Sequence, residues 1–300
     1  MSRLFFSGAR RSRAWPRARR GFTLVELVVS ISLASVVVAF AAMFITTPVK
    51  SYQAQARRAE LVDAADSILR LIDRDVRAAL PNSVRVAVNG PIVALETLNA
   101  VDAVRYRDAG ATADPSQELN FAAPDSSFAS LSQFDGVTKP FASATHYLSI
   151  YNVGAPGADA YSLTNVITPP GTTIAINAGA TAGEDLITLA PAFKFAYRSP
   201  GRRVYLVSGP VTYLCDPGAK TLRRYTGYSI GANQNSRDST AELLAAGATA
   251  IAIANNVTAC QFDYNAGTSM RAGVLTLRVT LNKDGESIWL VRQVHVENTP

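Results

Sequence analysis

The stretch Arg19-Arg-Gly-Phe-Thr-Leu-Val-Glu-Leu-Val-Val-Ser30 (RRGFTLVELVVS) decides how the rest of the chain is read. Arginines stop at Gly21, an apolar run begins at Phe22, and one carboxylate, Glu26, stands inside that run. At a bilayer centre an acidic side chain costs roughly 2.5–3.5 kcal/mol on insertion scales. A carboxylate kept at such a place calls for a partner. From Phe22 to Val49 no other side chain is charged, and Leu27 to Ile45 are all apolar, small or hydroxyl-bearing. At about 1.5 Å rise per residue, that stretch nearly spans a hydrocarbon core of about 30 Å. Ser30, Ser32 and Ser35 can bond back to carbonyls of the preceding turn and cost little there.

The charge distribution gives the run a direction. The 300-residue chain carries a net charge of +6, which taken alone suggests a polyanion binder. Seven arginines (Arg3, Arg10, Arg11, Arg13, Arg17, Arg19 and Arg20) precede the first acid, and without residues 1–21 the side-chain balance is −1. The basicity belongs to a leader, and no basic groove with interleaved aromatics follows, so nucleic acid is not an expected partner. Positive charge before the span keeps residues 1–21 in the cytoplasm and sends the remainder outward. The run is too long for a secretory signal peptide, and no A-x-A site follows it closely. A plain anchor would gain nothing from Glu26 and would need no glycine at the border.

GFTLVELVVS resembles the cleavage and methylation signal of type IV prepilins and type II secretion pseudopilins. The resemblance implies that prepilin peptidase cuts between Gly21 and Phe22 and methylates Phe22, and that the carboxylate of Glu26 pairs with the Phe22 amine of the next subunit. Two charges in low dielectric then relieve each other. PVKSYQAQARRAELVDAADSILRLIDRDVRAALPNSVRV, with VSGPVTYLCD, ANNVTACQFDY and VHVENTP, is similar to minor pilins of mannose-sensitive haemagglutinin (MSHA) pilus biogenesis. This implies an α+β pilin-like fold: a long helix, half transmembrane, packed on a mostly antiparallel sheet. It also implies assembly with other major and minor pilins, in a fibre that reaches the cell surface. The expected segments are a removed leader 1–21, a helix 22–80 (22–47 in the membrane) and a β-rich domain 81–300. A J-type pseudopilin and a membrane-anchored adhesin stand as alternatives.

Beyond the span, Pro48 is expected to bend the helix. Leu61, Ala65, Ile68, Ile72, Val76 and Ala79 then recur at helical spacing, while Asp66–Arg70 and Asp73–Arg77 form i, i+4 pairs on the wet side. Pro81 places the end near Leu80, for a rod of about 88 Å at about 1.5 Å per residue. The period then changes to two. A hairpin is expected around Asn89-Gly90 and another around Asp284-Gly285. Further strands are expected at TTIAIN, DLITLA, FKFAYR, RRVYLV, VTYLC, LRRYTGY and CQFDYN, and STAELLAAGATAIA reads as one short helix capped by Ser239. Residues 100–200 carry no motif.

Cys215 and Cys260 are the only cysteines. In an exported domain a bridge is the expected state, closing a loop of about 45 residues and stabilising by roughly 2–4 kcal/mol; in the cytosol both would be free. No enzymatic constellation emerges. His146 and His295 lack neighbours at metal-ligand spacing, so no metal or other cofactor is expected. DPGAKT (216–221) lacks the P-loop glycine, GTSMRAG (267–273) lacks the G-x-S-x-G spacing, and Asp263, Asp284 and Glu286 could offer oxygens to calcium without the alternation of an EF-hand loop.

Overall fold

The structure is a computed structural model that describes residues 21–108, 117–267 and 272–300. The leader up to residue 20 and the centre of GTSMRAG lie outside the described residues. The chain divides into two compact units, Met1–Gln55 and Ala56–Pro300.

One helix, α1 (Leu24–Arg77), runs for 54 residues and includes Pro48 without a break in its helical assignment. It ends three residues before the position read from Pro81. Ala79 N–H bonds the Val76 carbonyl in a tightened last turn, and Leu80 N–H then bonds Leu98 O at 2.8 Å. Ala79 also forms a bridge with Asn99. The last residues leave the helix because a strand offers their backbone partners.

Thirteen strands follow among the described residues: β1 (Arg85–Asn89), β2 (Ile92–Arg105), β3 (Asp125–Ala129), β4 (Phe141–Ser143), β5 (Tyr147–Ser149), β6 (Thr173–Ala178) and β7 (Asp185–Phe193). The remainder are β8 (Arg203–Asp216), β9 (Thr221–Thr226), β10 (Thr249–Asn255), β11 (Val257–Asn265), β12 (Gly273–Lys283) and β13 (Glu286–Val296), with a short helix α2 (Thr240–Ala245) before β10. They form three antiparallel sheets: β1-β2-β8-β9-β10 with β5 added to β8, β3-β7-β6-β4, and β11-β12-β13. The chain is therefore α+β, an apolar helix followed by antiparallel sheets, as the sequence implies.

The hairpins show which turn residues do the work. Asp284 and Gly285 both take positive φ (52° and 83°), as a two-residue type I′ turn requires. In the first hairpin Asn89 pairs with Ile92, so the turn is Gly90-Pro91 and only Gly90 takes positive φ, at 57°. Asn89 instead ends β1, and its amide donates to Asp238 at 2.8 Å.

Three other expectations change. RRVYLV and VTYLC are one strand, β8, which passes Gly209 (φ 121°) and Pro210. A shift of register on β2 between Asn99 and Asp102 absorbs that irregularity. FKFAYR is not a strand: β7 ends at Phe193, and Ala196 N–H bonds Asn165 O in irregular chain. STAELLAAGATAIA splits. The Ser239 hydroxyl accepts from Glu242 N–H as the cap of α2, and Gly247 (φ 85°) ends the helix. The β-branched Thr249, Ile251 and Ile253 then enter β10.

The main core is built where α1 meets the sheets. Leu61, Ala65, Ile68, Leu69, Ile72 and Val76 pack with Leu95, Tyr213, Leu277 and Val279. Burial of each large aliphatic contributes about 1.5–3 kcal/mol. The two i, i+4 pairs, Arg70–Asp66 and Arg77–Asp73, both at 2.6 Å, are not on a fully wet face: Arg292 of β13 also reaches Asp66 at 3.5 Å and Asp73 at 3.1 Å, so they flank the packed stripe. A second core, around Phe128, Phe134, Phe195, Ile187 and Leu206, fills the region of residues 100–200.

Candidate processing and assembly site

The residues singled out at Gly21–Glu26 lie where α1 begins. A Cβ added to Gly21 would meet nothing within 4 Å, so no crowding inside the chain demands a glycine there. Phe22 is 75% exposed. Thr23 precedes the first helical residue, its hydroxyl accepts from Glu26 N–H at 3.2 Å, and its carbonyl accepts from Leu27 N–H at 3.1 Å. Thr23 is thus the cap and Glu26 the third helical residue, the spacing of a capping box. The sequence reading overlooked Thr23, although Thr-x-x-Glu before an apolar run is its signal.

Glu26 therefore stands in the first turn, where the helix dipole favours a negative charge by about 0.3–1 kcal/mol. No ion pair among the described residues includes it. Its environment is a helix whose apolar surface is bare: Leu24, Val28, Ile31, Leu33, Val37, Phe40, Phe44 and Ile45 are all at least half exposed. An 18-residue window of α1 has a mean hydropathy of 2.6, and none of it is buried. Water does not tolerate a contiguous apolar surface of this extent, and the helix fits a membrane anchor. The hydroxyls are accommodated within it: Ser30 bonds Glu26 O, Ser32 bonds Val28 O, Ser35 bonds Ser32 O and Thr47 bonds Met43 O, at 2.7–3.0 Å. These four hydroxyls therefore meet a lipid phase with their donors already bonded to the helix.

Cys215 on β8 and Cys260 on β11 are bonded, with Cα atoms 6.3 Å apart. The bridge joins the largest sheet to the three-stranded sheet. The other residues considered from sequence do not converge. Asp263 accepts from Gln261, Glu286 pairs with Arg58 at 2.7 Å, and Asp284 is in the β12–β13 turn. His146 bonds the Ser143 hydroxyl, packs edge-on against Phe141, and has its pKa lowered by burial. Among the described residues no group of three or more His, Cys, Asp or Glu could hold a metal ion. DPGAKT is the β8–β9 turn, closed by Ala219 N–H on the Asp216 carboxylate.

Of the buried carboxylates in the globular unit that escaped the sequence reading, Asp75 and Glu96 carry the largest polar clusters. Asp75 accepts from Tyr213 OH at 2.7 Å and from Arg224 at 2.8 Å. Burial, followed by the Asp75 carboxylate, holds the Tyr213 phenol well above its ordinary pKa. Its signal was an acid set within the apolar stripe of Ile68, Ile72 and Val76. Glu96 is fully buried, 2.8 Å from Arg85 and 3.1 Å from Tyr228 OH. Burial raises its pKa against the opposing pull of Arg85. Arg85 also stacks over the Tyr161 ring at 3.5 Å and donates to the Gly231 and Ala232 carbonyls. With every neighbouring group engaged and no solvent reaching Glu96, the arrangement ties β1 and β2 to the 229–238 loop and leaves no room for a reacting molecule.

A family model described as the prokaryotic N-terminal methylation motif matches residues 16–42. The match covers the arginine border, Gly21, Phe22, Thr23, Glu26 and most of the bare apolar helix. It supports a type IV pilin-like prepilin signal and a structural, pilin-like or pseudopilin subunit handled by prepilin peptidase and assembled with other pilins. Comparison with curated proteins and with solved structures finds no match.

Proposed function

We propose that the chain is a minor pilin-like subunit, of the kind that serves biogenesis of an MSHA-type pilus. It enters the inner membrane through α1 with its globular unit in the periplasm, and is then built into a fibre. The peptidase cuts between Gly21 and Phe22 and methylates the Phe22 amine. The observation that carries this reading is the methylation motif placed on a bare apolar helix whose first turn presents Glu26. Gly21 has no structural duty inside the chain, which leaves its absent side chain as a feature for the peptidase to read.

The cut creates an ammonium four residues before Glu26. Within one helix the two charges head the same turn. Between axially staggered helices the carboxylate of one subunit meets the amine of the next, and each removes from the other the cost of being charged in lipid. Glu26 thus sets register and acts on no substrate. A bridge between Cys215 and Cys260 suits the oxidising side of the membrane. Mass spectrometry of the mature chain, from hosts with and without the peptidase, tests the reading. It expects an N-methylated Phe22 only with the peptidase. Met1 retained and no N-methyl group in a host whose peptidase is active would overturn it.

A further inference from the structure

We propose that Thr23 is a positioning residue for the cut after Gly21: by capping α1 it keeps the Gly21–Phe22 peptide outside the helix, where a peptidase can reach it. The inference rests on the pilin-like reading and goes beyond it by assigning a role to a residue that is neither cut nor charged.

A peptide bond inside a helix is a poor substrate. Its carbonyl and N–H are tied to neighbouring turns, and those turns crowd the carbonyl carbon that a nucleophile must approach. Cleavage concentrates where chain is exposed and unbonded. The start of α1 therefore decides whether the bond after Gly21 is accessible. Gly21, Phe22 and Thr23 precede the helix, which begins at Leu24. The Thr23 carbonyl accepts from Leu27 N–H at 3.1 Å, which opens the helical ladder. In a helix continued by one more residue, Glu26 N–H would serve the Phe22 carbonyl. The Thr23 hydroxyl takes that N–H instead, at 3.2 Å. The cap engages the backbone of Glu26 and leaves its carboxylate to the pairing role.

Thr23 holds this boundary without a substitute nearby. No Ser, Thr, Asp or Asn lies between Ser12 and Thr23, so the preceding stretch carries no other side chain of the preferred capping kind. The next residue upstream that disfavours a helix is Gly21 itself. A later start is closed off as well. The next hydroxyl, Ser30, lies well inside the apolar run and already donates to the Glu26 carbonyl. Unravelling the chain up to that point would leave N–H and C=O groups unpaired in lipid.

Removing the Thr23 hydroxyl therefore moves the boundary upstream. Glu26 N–H turns to the Phe22 carbonyl and Val25 N–H to the Gly21 carbonyl, so the scissile peptide joins the first turn. Nothing inside the chain opposes that extension: a Cβ at Gly21 would meet no atom within 4 Å, and Phe22 is 75% exposed.

Cleavage of the purified full-length chain in detergent by prepilin peptidase tests this, with Thr23→Val, Thr23→Ser and Thr23→Asn beside the wild type. Thr23→Val keeps the branched shape and loses the acceptor. It is expected to raise KM about fivefold at unchanged kcat, because only the fraction with an unwound Gly21–Phe22 peptide binds productively. Thr23→Ser and Thr23→Asn keep an oxygen for Glu26 N–H and should be cut within about twofold of the wild-type rate. Hydrogen exchange of the Val25 amide reads the boundary directly: it should slow in Thr23→Val and stay at the wild-type rate in the other two. Wild-type cleavage of Thr23→Val overturns the proposal, and so does slow cleavage of Thr23→Ser. Slow cleavage of Thr23→Val with an unchanged Val25 amide also overturns it, and would make the hydroxyl a direct contact of the peptidase. The wild-type chain separates the two ideas. If the peptidase leaves it uncut, the pilin-like reading fails; if it is cut and methylated at Phe22 while Thr23→Val is processed equally well, only the positioning role fails.

Discussion

Replacing Cys260 with serine is expected to lower the unfolding free energy of the globular unit by about 4 kcal/mol. The bridge spans 45 residues and links β8 to β11 across two sheets. For a loop of that length, chain-entropy arguments give about 13 cal/mol/K of lost denatured-state freedom, which is about 4 kcal/mol at 25 °C. The choice of partner matters. Cys215 is fully buried in the main core, and truncating it would add a cavity cost to the loss of the bridge. Cys260 is only partly buried, so serine fits there, and the Cys215 thiol left behind packs as a small hydrophobe. Pulse proteolysis of the full chain in detergent, along a urea series, reads the globular unit without interference from the micelle-bound helix. The midpoint should fall, and the slope should rise because the uncrosslinked chain exposes more surface on unfolding. A midpoint and slope equal to wild type, with no free thiol in the wild-type protein, would refute the loop-entropy reasoning.

Asp75→Ala is expected to cost about 2–3 kcal/mol, because it strands the buried Tyr213 hydroxyl and leaves Arg224 without its carboxylate; Asp75→Asn, which keeps an acceptor, should cost about 1 kcal/mol in the same assay. Glu96 gives a pH dependence. Between its ordinary pKa of 4.5 and its raised value the folded state binds more proton than the unfolded chain. Its contribution to stability is therefore complete below about pH 4.5 and lost as pH rises through the raised value. Relative to Glu96→Gln, the wild-type protein should gain stability as pH falls from 7 towards 4.5, and a difference independent of pH would contradict this. Glu26→Ala should leave insertion and cleavage intact while reducing incorporation into fibres about tenfold, measured by quantitative immunoblot of sheared fibres against membranes; wild-type incorporation would end the pairing role.

Sequence alone determined the features written within a few adjacent residues. The membrane run, the arginine border and the methylation motif are contiguous. The stripe Leu61–Val76, the Ser239 cap and the Asp284-Gly285 turn each depend on spacings of one to four residues, and the structure places them as that spacing requires. Tertiary structure decided what depends on partners far along the chain. Ala79 and Leu80 left the helix because Leu98 and Asn99 supplied their bonds. Lys194–Arg198 failed to continue as a strand because the alternation of the apolar residues could not say whether a neighbouring strand would be present. Asp75 was drawn into the core by Tyr213 and Arg224, 138 and 149 residues away. A local pattern encodes the preference of a segment; whether that preference is met, overridden or left open at an edge is a property of its neighbours, and long-range packing alone selects them.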